Sequence, residues 1–286
     1  MGVNLKEYRL PRWMKVPLPH GKGYSDVKNI LEQHKLHTIC SSGNCPNRGE
    51  CWSAGTATFM ILGDACTRHC KFCYVKTAKP LPPDPNEPEN LAKTIKMLKL
   101  KHCVITSVNR DDLPDQGASF WANTIKTIRK INPGITMEVL IPDFQGDTAL
   151  INLIINERPE VISHNIETVK RLTPVVRSLA NYETSLKVLN NIAMKGIKAK
   201  SGIMLGLGEF EEEVITAMDD LIDAGVKILT IGQYLQPSAL HKKITEFIHP
   251  RVFDNYRKIG LEKGFSFVES GPLVRSSYHA ERHVNA

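Results

Sequence analysis

Six of the seven cysteines in this 286-residue chain, Cys40, Cys45, Cys51, Cys66, Cys70 and Cys73, fall within 34 consecutive residues, and Cys103 is the outlier. Disulfide frameworks belong to small secreted domains. This chain is large, has an odd cysteine count and opens on MGVNLKEYRL, which lacks the apolar core of a signal peptide, so bridges explain the cluster poorly. Metal binding explains it better. Zinc ribbons and fingers mostly use two pairs of cysteines, each pair separated by two to four residues, whereas these cysteines come in threes. The second trio, Cys66-Thr-Arg-His-Cys70-Lys-Phe72-Cys73, has C-x3-C-x2-C spacing with an aromatic residue before the last thiol. Three thiolates on one short loop can hold three corners of a cubane [4Fe-4S] cluster and leave its fourth iron open to a small molecule. The competing reading is a zinc site completed by His69 or Cys103. The first trio, Cys40-Ser-Ser-Gly-Asn-Cys45-Pro-Asn-Arg-Gly-Glu-Cys51, has C-x4-C-x5-C spacing, and its Gly and Pro let the loop wrap an inorganic core. It also lacks a fourth cysteine. Either zinc recruits a histidine there, or a second iron-sulfur cluster takes its last ligand from elsewhere in the chain. Cys103 lies in the apolar run HCVITSV and is expected to be a small core residue of a buried strand.

The C-x3-C-x2-C loop resembles the signature of the radical S-adenosylmethionine (SAM) superfamily, in which the amino and carboxylate groups of SAM chelate the open iron. The two trios in this order resemble the lipoyl synthase family more narrowly. So do TSVNRDDL at 106–113, EVLIPDF at 138–144, HNIETV at 164–169, SGIMLGLGE at 201–209 and GPLVRSSYHA at 271–280, and the resemblance covers nearly the whole chain. It implies two [4Fe-4S] clusters, one binding SAM at Cys66, Cys70 and Cys73 and an auxiliary one at Cys40, Cys45 and Cys51. The auxiliary cluster is completed by a serine of Arg275-Ser276-Ser277-Tyr278, assigned to Ser277 with Ser276 as the fallback. The implied activity is insertion of sulfur at C6 and C8 of an octanoyl chain on a lysine of a lipoyl carrier domain. A 5′-deoxyadenosyl radical removes the hydrogens, the auxiliary cluster gives up its sulfur, and Ser277 is the ligand released. Two residues depart from the family pattern. Gln116 stands where a second glycine is usual, and Tyr74 where a small or polar residue is often found.

The elements that position these residues read as alternating strand and helix. Strand-like runs recur at 56–62, 103–108, 135–141, 160–166, 198–205 and 227–235. Between them, Asn181 to Lys195 is expected to be a helix with Leu186, Leu189 and Met194 on one broad face, stopped by Gly196. Another begins at the acids Glu211, Glu212 and Glu213 and stops at Gly225. The proline-rich 80–90 is a connection. Alternation at roughly 30-residue spacing implies parallel strands with right-handed crossovers. The expected fold is therefore α/β, a partial (β/α)6 barrel of the radical SAM type. The organisation expected is an N-terminal extension at 1–52 with the auxiliary cysteines, the barrel at 53–240, and a helix and tail with the RSSY motif at 241–286, both extensions covering the barrel mouth. Active sites of parallel barrels form at the C-terminal ends of the strands. That makes Asn109, Arg110, Asn165 and Glu167 candidates for contacting SAM; the superfamily resemblance adds Met204 in the strand-five pattern that packs on adenine and Phe72 of the cysteine loop, and Arg177 in RLTPVVR is a candidate fork for a carboxylate. On local grounds alone Asn and Gly at such places are caps and turns, and arginine is a surface residue.

The net charge is +7, with 37 Lys and Arg against 30 Asp and Glu. Residues 1–39 hold seven bases (Lys6, Arg9, Arg12, Lys15, Lys22, Lys28, Lys35) and three acids (Glu7, Asp26, Glu32), so they carry +4 of it. A solvated surface accounts for an excess of this size, and an acidic carrier protein is the sharper reading. Neither an RNA-binding signature nor zinc-finger spacing accompanies the charge, so nucleic acid is not expected as a partner. Nor is a membrane, since no apolar run approaches the roughly 18 residues of a span. The remaining expectations are a monomer in the cytoplasm, served by a ferredoxin or flavodoxin as electron donor and by an iron-sulfur carrier that rebuilds the auxiliary cluster. The octanoylated carriers expected are the E2 subunits of 2-oxoacid dehydrogenases and the glycine cleavage H protein. The alternatives are another radical SAM enzyme with an auxiliary cluster, or a zinc or iron-sulfur binding module on a barrel scaffold.

Overall fold

A computed structural model describes residues 10–16, 22–34, 36–53, 56–177 and 179–285. Lys6, Glu7, Arg9 and Lys35 of the basic segment lie outside the described residues, as does the start of the extension expected at 1–52.

Seven strands run parallel in one open sheet: β1 Thr58–Ile61, β2 His102–Ser107, β3 Thr136–Leu140, β4 Val161–Ser163, β5 Lys198–Leu205, β6 Ile228–Gln233 and β7 Phe267–Gly271. They follow one another in chain order. Each of the first six feeds a crossover helix: α1 Glu87–Met97, α2 Ala118–Ile131, α3 Thr148–Asn156, α4 Tyr182–Met194, α5 Glu211–Asp223 and α6 Pro250–Lys263. A two-residue strand, His37–Thr38, pairs antiparallel with β1 at the sheet's edge. The six expected strand runs coincide with β1 to β6, and the partial (β/α)6 arrangement is as read. Two details differ. The segment 241–286, read as helix and tail, supplies α6 and then β7, which pairs with β6 from Phe267↔Ile228 to Gly271↔Gly232. Met194, expected on a buried face, is 77% exposed, because α4 ends there and Gly196 takes a left-handed φ of 76°.

The helices dock by narrow apolar stripes. In α2, Trp121, Ile125 and Ile128 recur at helical spacing and are fully buried; each such side chain contributes about 2 kcal/mol of transfer free energy. Asn181 caps α4 through Thr184 N at 3.0 Å, and Asp147 caps α3 through Ala149 N at 2.8 Å. Inside the barrel, strand alternation presents Met60, Thr106, Leu140, Gly202, Met204, Thr230 and Gly232 to a single cavity of about 1180 Å³. Cys103 points the other way, into the core, and is 1% exposed.

Candidate metal and SAM site

The loop after β1 carries the second cysteine trio, and Cys66, Cys70 and Cys73 all border the cavity. Two backbone amides, Arg68 N at 3.4 Å and Asn109 N at 3.3 Å, point at Cys66 Sγ. Sulfur that accepts N–H bonds is sulfur prepared to carry negative charge. Burial pushes the Cys70 thiol up to about 11 and the Cys73 thiol up to about 12, opposed more weakly by Arg177 and by the Val75 amide respectively. Metal-free, these groups are neutral thiols at pH 7, and a bound metal cation must displace their protons.

Arg68, between the first two cysteines, fixes the loop to the barrel. The residue is 6% exposed, and its guanidinium forks onto two carboxylates: Nη2 and Nε on Asp111 at 2.7 and 2.9 Å, and Nη1 and Nη2 on Asp143 at 2.7 and 2.8 Å. Asp111 follows β2 and Asp143 follows β3. Burial opposes ionisation of Asp143, but the Arg68 fork outweighs it and holds the carboxyl down at about 2. With its side-chain amide turned so that oxygen meets the guanidinium, Asn109 accepts from Arg68 Nε at 3.0 Å. Sequence reading passed over Arg68. Its signal was a basic residue inside the cysteine loop together with the acidic pairs that follow the strands.

Past β4 the chain turns into the cavity. Glu167 has a left-handed φ of 67° and is bridged to Ile203 of β5, its amide donating to Gly202 O at 3.0 Å while its carbonyl accepts from Met204 N at 2.8 Å. A non-glycine residue held in that region stores strain that the surrounding structure must overdetermine. Burial raises the pKa of Glu167, with Arg177 opposing. Asn165 donates to Glu167 Oε1 at 3.1 Å, and its own Oδ1 is buried without a partner. Gly202 faces it; a Cβ there would stand 2.9 Å from that oxygen. Arg177 is only 7% exposed, not a surface residue, and donates to Ile166 O at 3.3 Å and Ser185 Oγ at 3.0 Å. Ser185 Oγ also lies 3.0 Å from His164 Nε2, while His164 Nδ1 meets Ile141 O at 3.0 Å. A carbonyl only accepts, so we assign the proton to Nδ1. Burial, then Arg177, drives this imidazole down to about 4 and keeps it neutral.

The candidates Asn109, Asn165, Glu167, Arg177, Met204 and Phe72 all border the cavity. Arg110 does not: it is buried on Leu62 O and forks onto Asp112 at 2.9 Å. Cys40 and Cys45 border the same cavity, as do Arg275, Ser276 and Ser277 from the segment after β7. Cys51, on the helical turn Arg48–Ser53, does not border the cavity, and burial, then Cys40 and Cys45, pushes its thiol up to about 12. Burial, then Cys40, pushes the Cys45 thiol up, with Arg275 opposing. Ser277 Oγ accepts from Thr58 Oγ1 at 2.7 Å, Asn47 Nδ2 donates to Leu273 O at 2.7 Å, and Tyr278 donates to Glu50 at 3.2 Å. These three bonds stitch the first trio's loop and β1 to residues more than 200 positions away. Neither His69 nor Cys103 borders the cavity. Among the described residues no group of three or more His, Cys, Asp or Glu is drawn together to hold one metal ion. The donor set, soft thiols spread around a roomy wall, fits an iron-sulfur core.

Comparison with known proteins agrees with this geometry. Residues 60–221 match the radical SAM superfamily model. In fold, the chain is similar to Streptococcus suis SuiB bound to the precursor peptide SuiA, with a TM-score of 0.60 at 11% identity over 86% of this chain and 52% of that one. It thus spans about half of SuiB. It is also similar to methylornithine synthase, with a TM-score of 0.56 at 13% identity over 86% and 81% of the two chains. The class is therefore the radical SAM enzymes, which bind SAM and a [4Fe-4S] cluster. Residues 3–45 match the model of the N-terminal domain of lipoyl synthase. Lipoyl synthase of Bacteroides thetaiotaomicron is 58% identical over 96% of this chain and 98% of its own. The Treponema denticola enzyme and the mitochondrial one of Nematostella vectensis are each 59% identical over 96% of this chain and 95% of theirs. The chain belongs to the lipoyl synthase family, sulfur-inserting enzymes of lipoate biosynthesis. Among the described residues no helix is long and apolar enough to cross a membrane.

Proposed function

We propose that this protein inserts two sulfur atoms, at C6 and C8 of an octanoyl chain borne on a lysine of a lipoyl carrier domain, in E2 subunits of 2-oxoacid dehydrogenases and in the glycine cleavage H protein. The observation that carries this reading is one cavity bordered both by Cys66, Cys70 and Cys73 and by Cys40, Cys45, Ser276 and Ser277. A chain that must lose hydrogen at one centre and gain sulfur at the other needs both within its own length. When bound, the [4Fe-4S] group at Cys66, Cys70 and Cys73 feeds single electrons to SAM, so that hydrogen can leave an unactivated methylene. The second cluster, at Cys40, Cys45, Cys51 and Ser277, is consumed as the sulfur-giving substrate.

The chain's own contribution is placement. Glu167 offers a carboxylate to the ammonium of SAM, Arg177 a guanidinium to its carboxylate, and the unpartnered Asn165 Oδ1 an acceptor to a ribose hydroxyl. Phe72 and Met204 provide apolar wall for the adenine, and Gly202 allows that close approach. Ser277 is a harder ligand than thiolate and is the one that lets go of iron as sulfur departs. A Ser277→Cys protein should therefore hold both clusters and insert sulfur more slowly; full two-sulfur insertion at the native rate would reject the release step. Thiolate ligands of this kind require a reducing compartment, and we assign the reaction to the cytoplasm. A ferredoxin or flavodoxin supplies electrons, an iron-sulfur carrier rebuilds the spent cluster, and the working unit is a monomer that keeps the barrel mouth free for a protein substrate.

The test is an anaerobic single turnover of reconstituted protein with SAM, dithionite and an octanoyl-lysine peptide. A peptide that has gained two sulfurs and lost two hydrogens, with about two 5′-deoxyadenosines formed per product, is the expected result. Deoxyadenosine with an unchanged peptide would discard the octanoyl substrate while keeping the radical SAM assignment.

A further inference from the structure

The barrel interior below the cavity contains a buried ionic cluster that the chemistry above does not use. Glu138 lies two residues before Leu140 on β3, and Lys200 lies two residues before Gly202 on β5. Strand alternation therefore puts both on the cavity-facing side, about 7 Å deeper than the cavity lining. Lys200 is 0% exposed, and its Nζ donates to Glu138 Oε1 at 2.6 Å; Ser163 Oγ donates to the same oxygen at 2.9 Å. The third member comes from the segment that carries Ser277. After β7 that segment passes the cavity at Val274, Arg275, Ser276 and Ser277, turns through His279 at a left-handed φ of 51°, and forms the 3-10 helix Ala280–Asn285. This helix buries His283 completely, 3.0 Å from Lys200 Nζ through Nδ1 and 3.5 Å from Glu138 Oε2. An ammonium only donates, so Nδ1 accepts from Lys200; it then makes no hydrogen bond to Glu138 Oε2, and the ring's proton sits on Nε2, which is buried without a partner. The ring packs edge-on to Phe267, the first residue of β7, with centroids 4.9 Å apart. Lys198, one layer further down, donates to Val284 O at 2.7 Å. The segment is thus tied at two levels, to β1 and the first trio's loop through Ser277, Leu273 and Tyr278, and to the inside of the barrel through His283 and Val284.

Such a buried pair is a demanding socket. An ammonium removed from water needs an acceptor for each N–H it can direct, and Glu138 satisfies only part of that need. His283 supplies the next acceptor, so the pair draws the tail into one register. We propose that His283 is a positioning residue for Ser277: accepting from the Lys200 ammonium that Glu138 holds in place, it fixes the segment 272–284 at its lower end and so holds the Ser277 hydroxyl, six residues earlier, against Thr58 and the Cys40, Cys45 and Cys51 loop. The inference rests on the reading of Ser277 as an iron ligand.

The full-length protein, before and after cluster reconstitution, tests it in four forms: wild type, His283→Ala, His283→Gln and Ser277→Ala. Before reconstitution, deuterium exchange of the amides at 273–284 should quicken by tenfold or more in His283→Ala, with β5 unchanged. After reconstitution, iron and sulfide per chain should fall toward half those of wild type, with the loss seen in the Mössbauer signal of the second cluster. Cleavage of SAM in the absence of carrier should persist. His283→Gln, whose amide oxygen can take the Lys200 bond, should recover both the slow exchange and the iron content. If His283→Ala does not fold, the same readouts on Glu138→Gln/Lys200→Met, which leaves the histidine but empties the socket of charge, decide the matter. Wild-type exchange across 273–284 in the variant overturns the anchor, and quickened exchange with wild-type iron content overturns its service to Ser277. Ser277→Ala separates the premise: full iron and sulfide in that protein would overturn the ligand reading itself, leaving the exchange data to decide the anchor alone.

Discussion

Two residues near the cysteine loops act through shape as much as charge. Arg68 meets Asp111 and Asp143 with four N–H bonds, a geometry that a planar guanidinium can make and an ammonium cannot. Arg68→Lys keeps the charge and reaches one carboxylate, leaving the other buried without its partner. The expected loss is about 3 kcal/mol of stability in the metal-free protein, read by urea unfolding, with a raised KM for SAM in the reconstituted enzyme. A Lys variant with an unchanged denaturation midpoint would mean that the fork holds nothing in place. Gln116, the residue that departs from the family's usual glycine, has φ 50° and is followed by Gly117 at φ 86°. A side chain in the left-handed region costs about 1 kcal/mol relative to glycine. Its amide contact with Phe144 O is long at 3.4 Å and recovers little. Gln116→Gly should therefore stabilise the protein by about 1 kcal/mol, a rise in melting temperature of roughly 2–4 °C.

At the level of elements, helix starts are tied to strand ends by buried groups that respond to pH. Glu87 opens α1 and turns its carboxylate onto Leu62 N at 2.8 Å, just past β1. Burial pushes its pKa up to about 7, with the Leu62 amide opposing. In the unfolded chain the same group ionises near its ordinary value of 4.5. Between those two values the folded state binds more protons, so stability falls as pH rises from about 4.5 to about 7, by up to about 3 kcal/mol. Glu87→Gln keeps an acceptor for the amide without the charge. It should flatten that part of the stability profile and be the more stable form at pH 8, as measured by urea unfolding across the range. The elements themselves were largely legible. Runs such as CVITSV and KAKSGIML announce buried strands by composition, and acids at 211–213 announce a helix start. β7 was not legible, because FVESG carries two charged or polar residues in five and buries only Val268 fully, as an edge strand does. The cysteine trios could be read from spacing alone because their geometry is local. Thr58, Asn47, Arg275 and His283 could not, since each finds its role only when residues from 83 to more than 200 positions apart meet across the barrel.

For the whole molecule, the six β/α units leave the sheet open, and the 40–51 loop and the 272–285 segment, from opposite ends of the sequence, add Cys40, Cys45, Ser276 and Ser277 to the lining of the cavity. The same architecture leaves the mouth to the substrate, and there charge enters. The chain has a net charge of +7, and Lys71 and Lys243 stand exposed on the loops around the opening, Lys243 on the cavity rim itself. On the proposed substrate, an acidic carrier domain is drawn in by this field over distances that salt screens, since the Debye length falls to about 8 Å at physiological ionic strength. Raising the salt from about 0.02 to about 0.3 M should then lower kcat/KM for the octanoylated carrier protein severalfold through KM, with kcat held. A short octanoyl-lysine peptide of no net charge, entering the same cavity without crossing that field, should show no such fall. If both substrates lose the same factor, the effect lies in the clusters or in SAM binding, and the surface charge is no dock. If neither does, the +7 is only a solvated face and the carrier is held by contacts at the cavity rim alone.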